Sequence, residues 1–587
     1  LPIDETGLVR GAGTRRAYCL NSDIYWAYSK KIVTAMATAV ADHPALIAWQ
    51  IDNGLGRHES EYSFNPETKR DWHAWLKAKY ETIDKLNDLM GMSFWGRTVS
   101  DWTQVPMPVR APAPHNPALL TDWRRFSSDT CVAYVRMQAA ILREITPNAP
   151  VTTGLRAWAC DYDYFDLAEE LDFISIDSDA AIKSKSSEIA CSIDLLRSLK
   201  KTGIRTPDGG DSGFWVIEQK AGNVSWQETN ALVRPDVVRL FTYQLISRGA
   251  DGVLYFYWRQ PRIGPEKFYG GVLTHDGTGN NRMYAEVKKI GEELTRLAPE
   301  LKGTRVTAEA CILYCQDSNW AQQQIQRPNK FFSQREHIQL FHTALHDKNI
   351  QVDFAGPSDD LSRYKMVIAP SLHLISGAAA DRLKLYVQNG GTLVGTFNTG
   401  LVDEHLITPA DGYPNELTDL FGMTVQEFDS LPPGEENHLA FKGAFHTSHM
   451  HPAKLWCDII EPGTAEVLAT YAKDFYTGRP AMTMNQYGNG RAIYIGFMSH
   501  QNFYADLVAW LRTTCGLFPL LKVPDSVEVS MRASAKTRVY FLLNHQNSNV
   551  RLQFYKPTHD FLTGKTISGT YDLPPHGVLV LDEHSRT

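Results

Sequence analysis

The chain has 587 residues, a length that exceeds one ordinary hydrophobic core and predicts two or three domains. Its formal net charge of -7 and its pI near 6.3 provide no basic surface field, so neither nucleic acid nor an anionic membrane is expected as a partner. No run of about 18 apolar residues occurs, which excludes a membrane-spanning helix.

The first 300 residues alternate between helical and strand patterns. Helical periodicity covers residues 23–40, with Ser22 or Asp23 as the N-cap, and an apolar strand-like run follows at residues 45–53. Two more helices are expected at residues 69–80 and 123–146. Further strands are predicted at residues 151–154, 173–177, 214–218 and 252–258. This alternation predicts a (β/α)8 barrel, whose chemistry lies at the C-terminal ends of its strands.

Only five strands are predicted before the pattern changes near Leu301, and five strands do not close a barrel. A barrel of about 250 residues would need roughly a hundred more, holding three further strands, so we expect the chain to begin inside the barrel. The alternative is that short strands lack a recognisable pattern. Because the sequence opens at Leu1 without an initiator methionine, a cytoplasmic and a periplasmic location both stay open.

Two smaller domains are expected after the barrel. Strand patterns at residues 310–314, 366–369, 392–396 and 491–496 alternate with helices and predict a doubly wound α/β sheet. This region lacks a phosphate-binding glycine fingerprint, and neither Cys311 nor Cys315 lies on a nucleophile turn, so we interpret it as structural. Short alternating runs near the end predict a small antiparallel β-sandwich. The predicted domains are residues 1–302, 303–517 and 518–587.

Polar side chains follow several of the predicted barrel strands. The strand at residues 45–53 ends in Asn53, and many retaining glycosidases place an asparagine followed by a catalytic glutamate at such a rim. Here Gly54 takes the place of that glutamate. The strand at residues 214–218 ends in Glu218, which is either a nucleophile kept ionised by its surroundings or a loop-facing ion-pair partner.

Aromatic residues near these strand ends are typical of a sugar-binding cleft. Residues 255–260 read Tyr-Phe-Tyr-Trp-Arg-Gln, Glu266 and Tyr269 follow, and Trp226 could provide a stacking wall. Aromatic rings suit the C–H face of a pyranose, and a carboxylate accepts hydrogen bonds from its hydroxyl groups. The predicted substrate is therefore a carbohydrate.

Across all 587 residues the sequence resembles the glycoside hydrolase family 42 β-galactosidases, from just after the third barrel strand to the C-terminus. The stretches that carry the resemblance are residues 1–4, 14–19, 49–53, 116–117, 122–126, 161–167, 214–219 and 255–260, with Glu266. The resemblance implies a barrel, an amidotransferase-like second domain without catalytic residues, a small β domain, a homotrimer and no cofactor.

The resemblance also implies roles for individual residues. Glu218 would be the nucleophile, and Trp95 a cleft wall reached from a neighbouring subunit. The expected substrate contacts are Arg15, Asn53, Trp226, Phe256, Glu266 and Tyr269.

Four features depart from the family pattern. Gly54 replaces the acid/base glutamate, Asp179 stands where a tyrosine is usual, and Tyr269 stands where a sugar-binding histidine is frequent. The loop at residues 58–65 lacks the cysteines that complete a zinc cluster in many members, which leaves Cys19 alone. One thiolate cannot build a closed tetrahedral site, so we predict no structural zinc. Most of the eight cysteines are expected to be free and buried.

Three hypotheses account for Gly54. Another carboxyl, Glu59, Glu61 or Asp179, could act as the acid if burial raised its pKa. Alternatively, the protein binds galactosides without turnover, or the glycine is an engineered replacement. Because Glu218 and Asn53 remain together with Arg15 and Glu266, the sequence favours a retaining glycoside hydrolase that acts on terminal β-D-galactosides or a closely related sugar.

Overall fold

The computed structural model describes residues 1–159, 161–178, 184–200, 213–324, 327–410 and 412–582, apart from the side chain of Glu59. Within these ranges, no helix combines the length and the apolar character that crossing a membrane requires. Polar side chains such as Arg532 and Gln244 form hydrogen bonds between the regions described below.

Parallel strands form the wall of the N-terminal region, and all five predicted strands are confirmed. The strands are Trp49–Gln50, Val151–Thr152 with its continuation Gly154–Leu155, Ser175–Ser178, Phe214–Lys220 and Ala250–Phe256. They pair in chain order and in parallel, as successive strands of a barrel wall do. Parallel order brings their C-terminal ends to one edge.

Helices connect and cover these strands. Their bounds are Asp23–Val40, Pro66–Tyr80, Ile83–Leu89, Pro117–Ile145, Tyr164–Glu169, Ser186–Ser198, Val237–Ser247 and Arg282–Leu301. The first has the predicted bounds, and Ser22 caps it by accepting a hydrogen bond from the Tyr25 amide at 3.4 Å. The helix predicted from residue 123 begins at Pro117, because Asn116 accepts the Ala118 amide at 2.8 Å and proline suits the first helical turn.

The second region is built on an eleven-stranded mixed sheet. Its parallel strands, in spatial order, are Val352–Ala355, Ala310–Leu313, Met366–Ala369, Thr392–Thr396 and Gly490–Ile495. Its helices are Gln316–Gln322, Gln334–His346, Gly377–Gln388, Thr418–Phe421 and Gln501–Thr514. The predicted α/β alternation is therefore present.

Antiparallel strands extend this sheet on one side, which the sequence analysis did not predict. They are Met423–Asp429, Glu436–Phe441, Pro452–Pro462, Glu466–Tyr471, Pro480–Tyr487 and Phe497–Met498. The C-terminal region has the predicted antiparallel strands, hydrogen-bonded into one five-stranded sheet. Their bounds are Val527–Ala533, Arg538–Asn544, Val550–Asp560, Lys565–Leu573 and Val578–Leu581.

A buried ionic network ties the three regions together. The Arg248 guanidinium, from the first region, lies 2.8 Å from Glu528 of the C-terminal sheet and also pairs with Asp194. His342, from the second region, contacts the same Asp194 carboxylate at 2.9 Å. Burial opposes ionisation of both carboxyls, yet the Arg248 charge holds the pKa of Asp194 and of Glu528 below their usual values. The network is thus one ionised unit shared by all three regions.

Removing the guanidinium should destabilise the whole chain. The side chains of Asp194 and Glu528 are only 2% and 1% exposed, and Arg248→Met removes the cation that these two buried carboxylates share. Asp194 keeps its ion pair with Arg197, and Glu528 keeps its contacts with His346 and His545. We expect the free energy of unfolding at pH 7 to fall by about 3 to 5 kcal/mol, measured by denaturant titration. As a control, Arg551→Met removes an ion pair with Asp572 in which the Arg551 side chain is 76% exposed, and it should change the free energy of unfolding far less than Arg248→Met does.

The effect of Arg248→Met should depend on pH. Because both folded-state pKa values are depressed, the stabilisation is present above the ordinary values of 3.8 and 4.5 and is lost as the pH falls through the folded values. The difference between the unmodified chain and the variant should therefore narrow in acid. A difference that widened below pH 4.5 would contradict this account.

Candidate active site

A cleft of about 850 Å³ opens at the edge where the parallel strands end. It is lined by Arg15, Asn53, Arg57, His58, Arg156, Ser178, Glu218, Lys220, Val224, Trp226, Phe256, Tyr257, Glu266 and Tyr269. This volume matches that of small-molecule sites, and the lining combines aromatic rings with a few charged groups. The position is the one at which (β/α)8 enzymes carry out their chemistry.

Asn53 and Glu218 meet in this cleft. The Asn53 amide Nδ2 donates a hydrogen bond of 2.8 Å to Glu218 Oε1, across 165 positions of sequence. Asn53 follows the short strand Trp49–Gln50, and Glu218 lies near the end of Phe214–Lys220. The hydrogen bond holds the Glu218 carboxylate in a fixed orientation within the cleft.

Asp177 and Arg57 support the floor of the cleft. Asp177 is the neighbour of Glu218 in the parallel register, and its side chain is only 2% exposed. The Arg57 guanidinium forms an ion pair with Asp177 from the loop after Asn53. Arg16 donates a hydrogen bond to the Asn53 carbonyl oxygen. Arg16 and Arg57 therefore both hold the loop that contains Asn53.

Gly54 has no room for a larger side chain in this arrangement. Its φ is +72°, a left-handed conformation that favours glycine. A Cβ atom there would lie 2.5 Å from Arg57 Cδ and 3.0 Å from an Arg16 guanidinium nitrogen. The stem of Arg57 thus fills the space into which a side chain at position 54 would project.

Aromatic side chains form the opposite wall of the cleft. Tyr257 donates a hydrogen bond to Glu266, and the Tyr269 ring meets the rings of Tyr257 and Phe256 edge-on, with centroids 5.8 and 6.2 Å apart. Burial, followed by the Glu266 carboxylate, raises the pKa of Tyr257, so the phenol stays protonated as a donor. Trp226 is 52% exposed and lies under the Lys220 ammonium at 4.8 Å.

The structure brings together most of the predicted site residues. Seven of them line the one cleft: Arg15, Asn53, Glu218, Trp226, Phe256, Glu266 and Tyr269. Trp95 does not line it and is 63% exposed on a separate loop. Of the three predicted substitute acids, Glu61 is 9% exposed and set back from the lining. The Glu59 side chain and Asp179 lie outside the described residues.

Several lining residues were missed in the sequence. Ser178 and Lys220 are the last residues of their strands, and Arg156 follows the strand Gly154–Leu155 directly. The strand-end rule that identified Glu218 applies equally to these three positions. Arg57 and His58 gave no such signal, because they belong to a short 3₁₀ turn, Arg57–Glu59, in which His58 has a φ of +60°.

Cysteines and possible metal ligands lie away from the cleft. All seven cysteines that the structure describes are free, and five of these are buried, as predicted. Cys19 is buried beside the Thr68 hydroxyl at 3.5 Å. Within the described ranges, one group of three has its ligand atoms within 4.8 Å of one another, namely His449, His451 and Asp506 of the second region. The absence of zinc near Cys19 stays a prediction.

Family models cover nearly the whole chain. The glycoside hydrolase family 42 model described as β-galactosidase matches residues 1–297. The chain belongs to glycoside hydrolase family 42. The family 42 models for a β-galactosidase trimerisation domain and a β-galactosidase C-terminal domain match residues 308–517 and 526–583. By family membership the chain is a glycoside hydrolase, and its fold is the predicted barrel with two further domains.

Individual family 42 relatives are similar over their common length. β-Galactosidase bgaB of Geobacillus kaustophilus is 34% identical over 591 residues, which cover 100% of this chain and 85% of the relative. The crystal structure of a β-galactosidase from Bacillus circulans sp. alkalophilus superposes with a TM-score of 0.94 at 32% identity, over 99% of this chain and 86% of that one. The β-galactosidase of Rahnella sp. R3 gives 0.93 at 30% identity, over 99% and 85%.

The contact between position 54 and Arg57 can be tested by adding one methyl group. Gly54→Ala and Gly303→Ala impose the same strain, because both glycines have a φ of +72°, and each should cost about 1 to 2 kcal/mol of unfolding free energy. A Cβ at Gly303 meets nothing within 4 Å, whereas one at Gly54 meets Arg57. Gly54→Ala should therefore lower the free energy of unfolding by more than Gly303→Ala does. Gly54→Ala should also alter the catalytic or binding constants, whereas Gly303→Ala should not.

Arg57→Ala by itself loses the ion pair with the buried Asp177, so the comparison is made within that background. There, adding Gly54→Ala should cost only the backbone strain, measured by comparing denaturation curves of Arg57→Ala and of the double variant. If Gly54→Ala and Gly303→Ala proved equal in stability and in function, Arg57 would not fill the space beside residue 54.

Proposed function

We propose that this chain is a retaining glycoside hydrolase that removes terminal β-D-galactose, or a closely related sugar, with Glu218 as the nucleophile. The observation that carries the proposal is the 2.8 Å hydrogen bond between Asn53 and Glu218 inside a sugar-sized cleft with aromatic walls. Relatives at 34% and 32% identity that are named β-galactosidases support the choice of sugar.

The lining residues could supply the nucleophile and the sugar contacts that a double displacement needs. Glu218 would attack the anomeric carbon, and the Asn53 amide beside it would meet the sugar 2-hydroxyl. The proposed contacts to the remaining hydroxyl groups and to the ring face are Arg15, Trp226, Phe256, Glu266 and Tyr269. The hydrogen bond from Tyr257 fixes the direction of the Glu266 carboxylate, which leaves that group oriented toward the cleft.

Proton transfer is the step for which position 54 offers no group. A retaining mechanism needs an acid for the leaving oxygen and a base for the incoming water. We propose that a carboxyl from Glu59, Glu61 or Asp179 takes this role. Glu59 and Asp179 follow the lining residues His58 and Ser178 in sequence, whereas Glu61 is buried behind them.

A galactoside-binding protein with impaired catalysis is the second candidate function. The observation that favours it is the Arg57 stem in the space beside Gly54, because an arginine there cannot donate a proton at neutral pH. An engineered replacement of the acid/base residue would give the same geometry. A natural glycine and an engineered glycine at position 54 both predict a cleft that binds the sugar without efficient turnover.

We propose further that the chain has three domains, residues 1–302, 303–517 and 518–587, and forms a homotrimer. The match of residues 308–517 to a trimerisation-domain family supports this assembly. Trp95 and the neighbouring Phe94 are 63% and 69% exposed, as expected of side chains that reach a neighbouring subunit. Trp95 would then close the cleft of the adjacent copy.

Removing the nucleophile should abolish turnover. We expect Glu218→Ala to lower kcat for an aryl β-D-galactoside by about 10³-fold or more, since no covalent intermediate can form. Glu292→Ala is a matched control, because Glu292 is an exposed carboxylate on the helix Arg282–Leu301. Equal kcat in the two variants would refute the assignment of Glu218.

Azide and leaving-group dependence should distinguish a substitute acid from none. Without an acid/base group, aryl β-galactosides with good leaving groups should be cleaved at least about 10²-fold faster than those with poor ones. Azide needs no general base, so it should then accelerate turnover and yield the β-galactosyl azide. If poor leaving groups are cleaved well and azide has no effect, a substitute acid acts, and one of Glu59→Gln, Glu61→Gln and Asp179→Asn should remove it.

A further inference from the structure

The side chains that face the cleft are predominantly cationic, although the chain as a whole has a net charge of -7. Among the lining residues that the structure describes, four cations accompany two carboxylates, Glu218 and Glu266. The four cations are Arg15, Arg57, Arg156 and Lys220. A neutral galactoside offers no charge to match this excess. The excess is therefore a feature of the cleft that hydrolysis of a neutral sugar does not explain.

Arginines concentrate around the loop that contains Gly54. His58, which also lines the cleft, reports their field: burial lowers its pKa, and the charges of Arg16, Arg15, Arg57 and Arg156 lower it further. Three of these arginines line the same cleft as His58, and the fourth, Arg16, donates a hydrogen bond to the Asn53 carbonyl oxygen. Arg156 has no hydrogen-bonded or ion-paired carboxylate among the residues that the structure describes.

The carboxyls that oppose these arginines lie behind the cleft wall. Asp177 pairs with Arg57 but is 2% exposed in its side chain, and it does not line the cleft. Asp161 lies against Gly56, and burial raises its pKa to about 6, although Arg156 and other arginines oppose the shift. A pKa of about 6 leaves Asp161 mostly ionised at pH 7, but Asp161 does not line the cleft.

The position of the arginines indicates which part of a substrate they would meet. In a retaining glycosidase the acid/base group stands beside the oxygen of the leaving group. At that position this chain has Gly54, with the Arg57 stem 2.5 Å from where its Cβ would be. Arg57 thus lies on the aglycone side of Glu218, and Arg156 lines the same cleft with its charge acting on His58 of the same loop.

We infer that the aglycone side of this cleft is a subsite for an oxyanion, a sulfate ester or a carboxylate, carried by the sugar unit that follows the terminal galactose. Guanidinium groups bind both anions through paired hydrogen bonds. The inference rests on the proposed function, because it takes Glu218 to define the position of the terminal sugar. It adds a substrate class, anionic β-galactosides, to that proposal.

Binding of three matched disaccharides tests the inference. The ligands are galactosyl-β-1,4-galactose, the same disaccharide with a 6-sulfate on its reducing unit, and the same disaccharide with that unit oxidised to a uronic acid. Calorimetry at low ionic strength should give a Kd at least about tenfold lower for one or both anionic ligands than for the neutral one. The preference should shrink in about 0.5 M salt, because charges in an open cleft are screened.

Variants of Arg156 separate the proposed subsite from general electrostatics. Arg156→Met should reduce the anionic-over-neutral preference by about tenfold, and Arg156→Lys should restore part of it, since lysine keeps the charge without the paired donors. Arg551→Met removes the same charge from the C-terminal sheet and should leave the preference unchanged. Each variant is judged by the ratio of its Kd values for an anionic and for the neutral disaccharide. A general loss of folded protein affects both measurements alike and does not change this ratio.

The outcomes distinguish this inference from the proposed function. If aryl β-galactosides are cleaved in a Glu218-dependent manner but the three disaccharides bind alike, the anion subsite is refuted and the hydrolysis stands. If an anionic disaccharide binds tightest through Arg156 and no galactoside is cleaved, the hydrolysis is refuted and the subsite stands. Whichever of the sulfated and uronic acid disaccharides has the lower Kd identifies the oxyanion that the cleft selects.

Discussion

The site depends on one constraint, the parallel order of the strands in the N-terminal region. Parallel strands end at a common edge, so residues far apart in sequence, such as Asn53 and Glu218, meet there. The same register places Asp177 beside Glu218 and gives the Arg57 loop its anchor. The cleft, its nucleophile candidate and the closed space at Gly54 are consequences of that single arrangement.

At position 54 the backbone conformation and the packing of the Arg57 side chain both favour glycine. The left-handed backbone there favours glycine, and the Arg57 stem uses the volume that glycine leaves free. A glutamate restored at this position would meet both the strain and the arginine. The absence of a carboxyl at position 54 and the position of the Arg57 side chain are therefore structurally linked.

The sequence was sufficient for the parts of the fold that repeat a simple pattern. Apolar runs ending in polar residues predicted the five parallel strands, and Ser22 predicted the start of the first helix. The antiparallel extension of the second sheet was missed, because strands such as Met423–Asp429 alternate buried and exposed residues irregularly around a bulge. Asn53 and Glu218 were predictable from strand ends, whereas Arg57 comes from a loop whose path depends on its pairing with Asp177.

The Arg248 network limits how this protein can be divided. Its guanidinium meets carboxylates of two regions, and a histidine of the third completes the contact. A cut at either region boundary would separate the Arg248 guanidinium from the Glu528 carboxylate. It would also expose to solvent the surface that now buries this ion pair. The three regions are therefore not interchangeable modules, and exchange of one between relatives would require that its buried charges be exchanged with it.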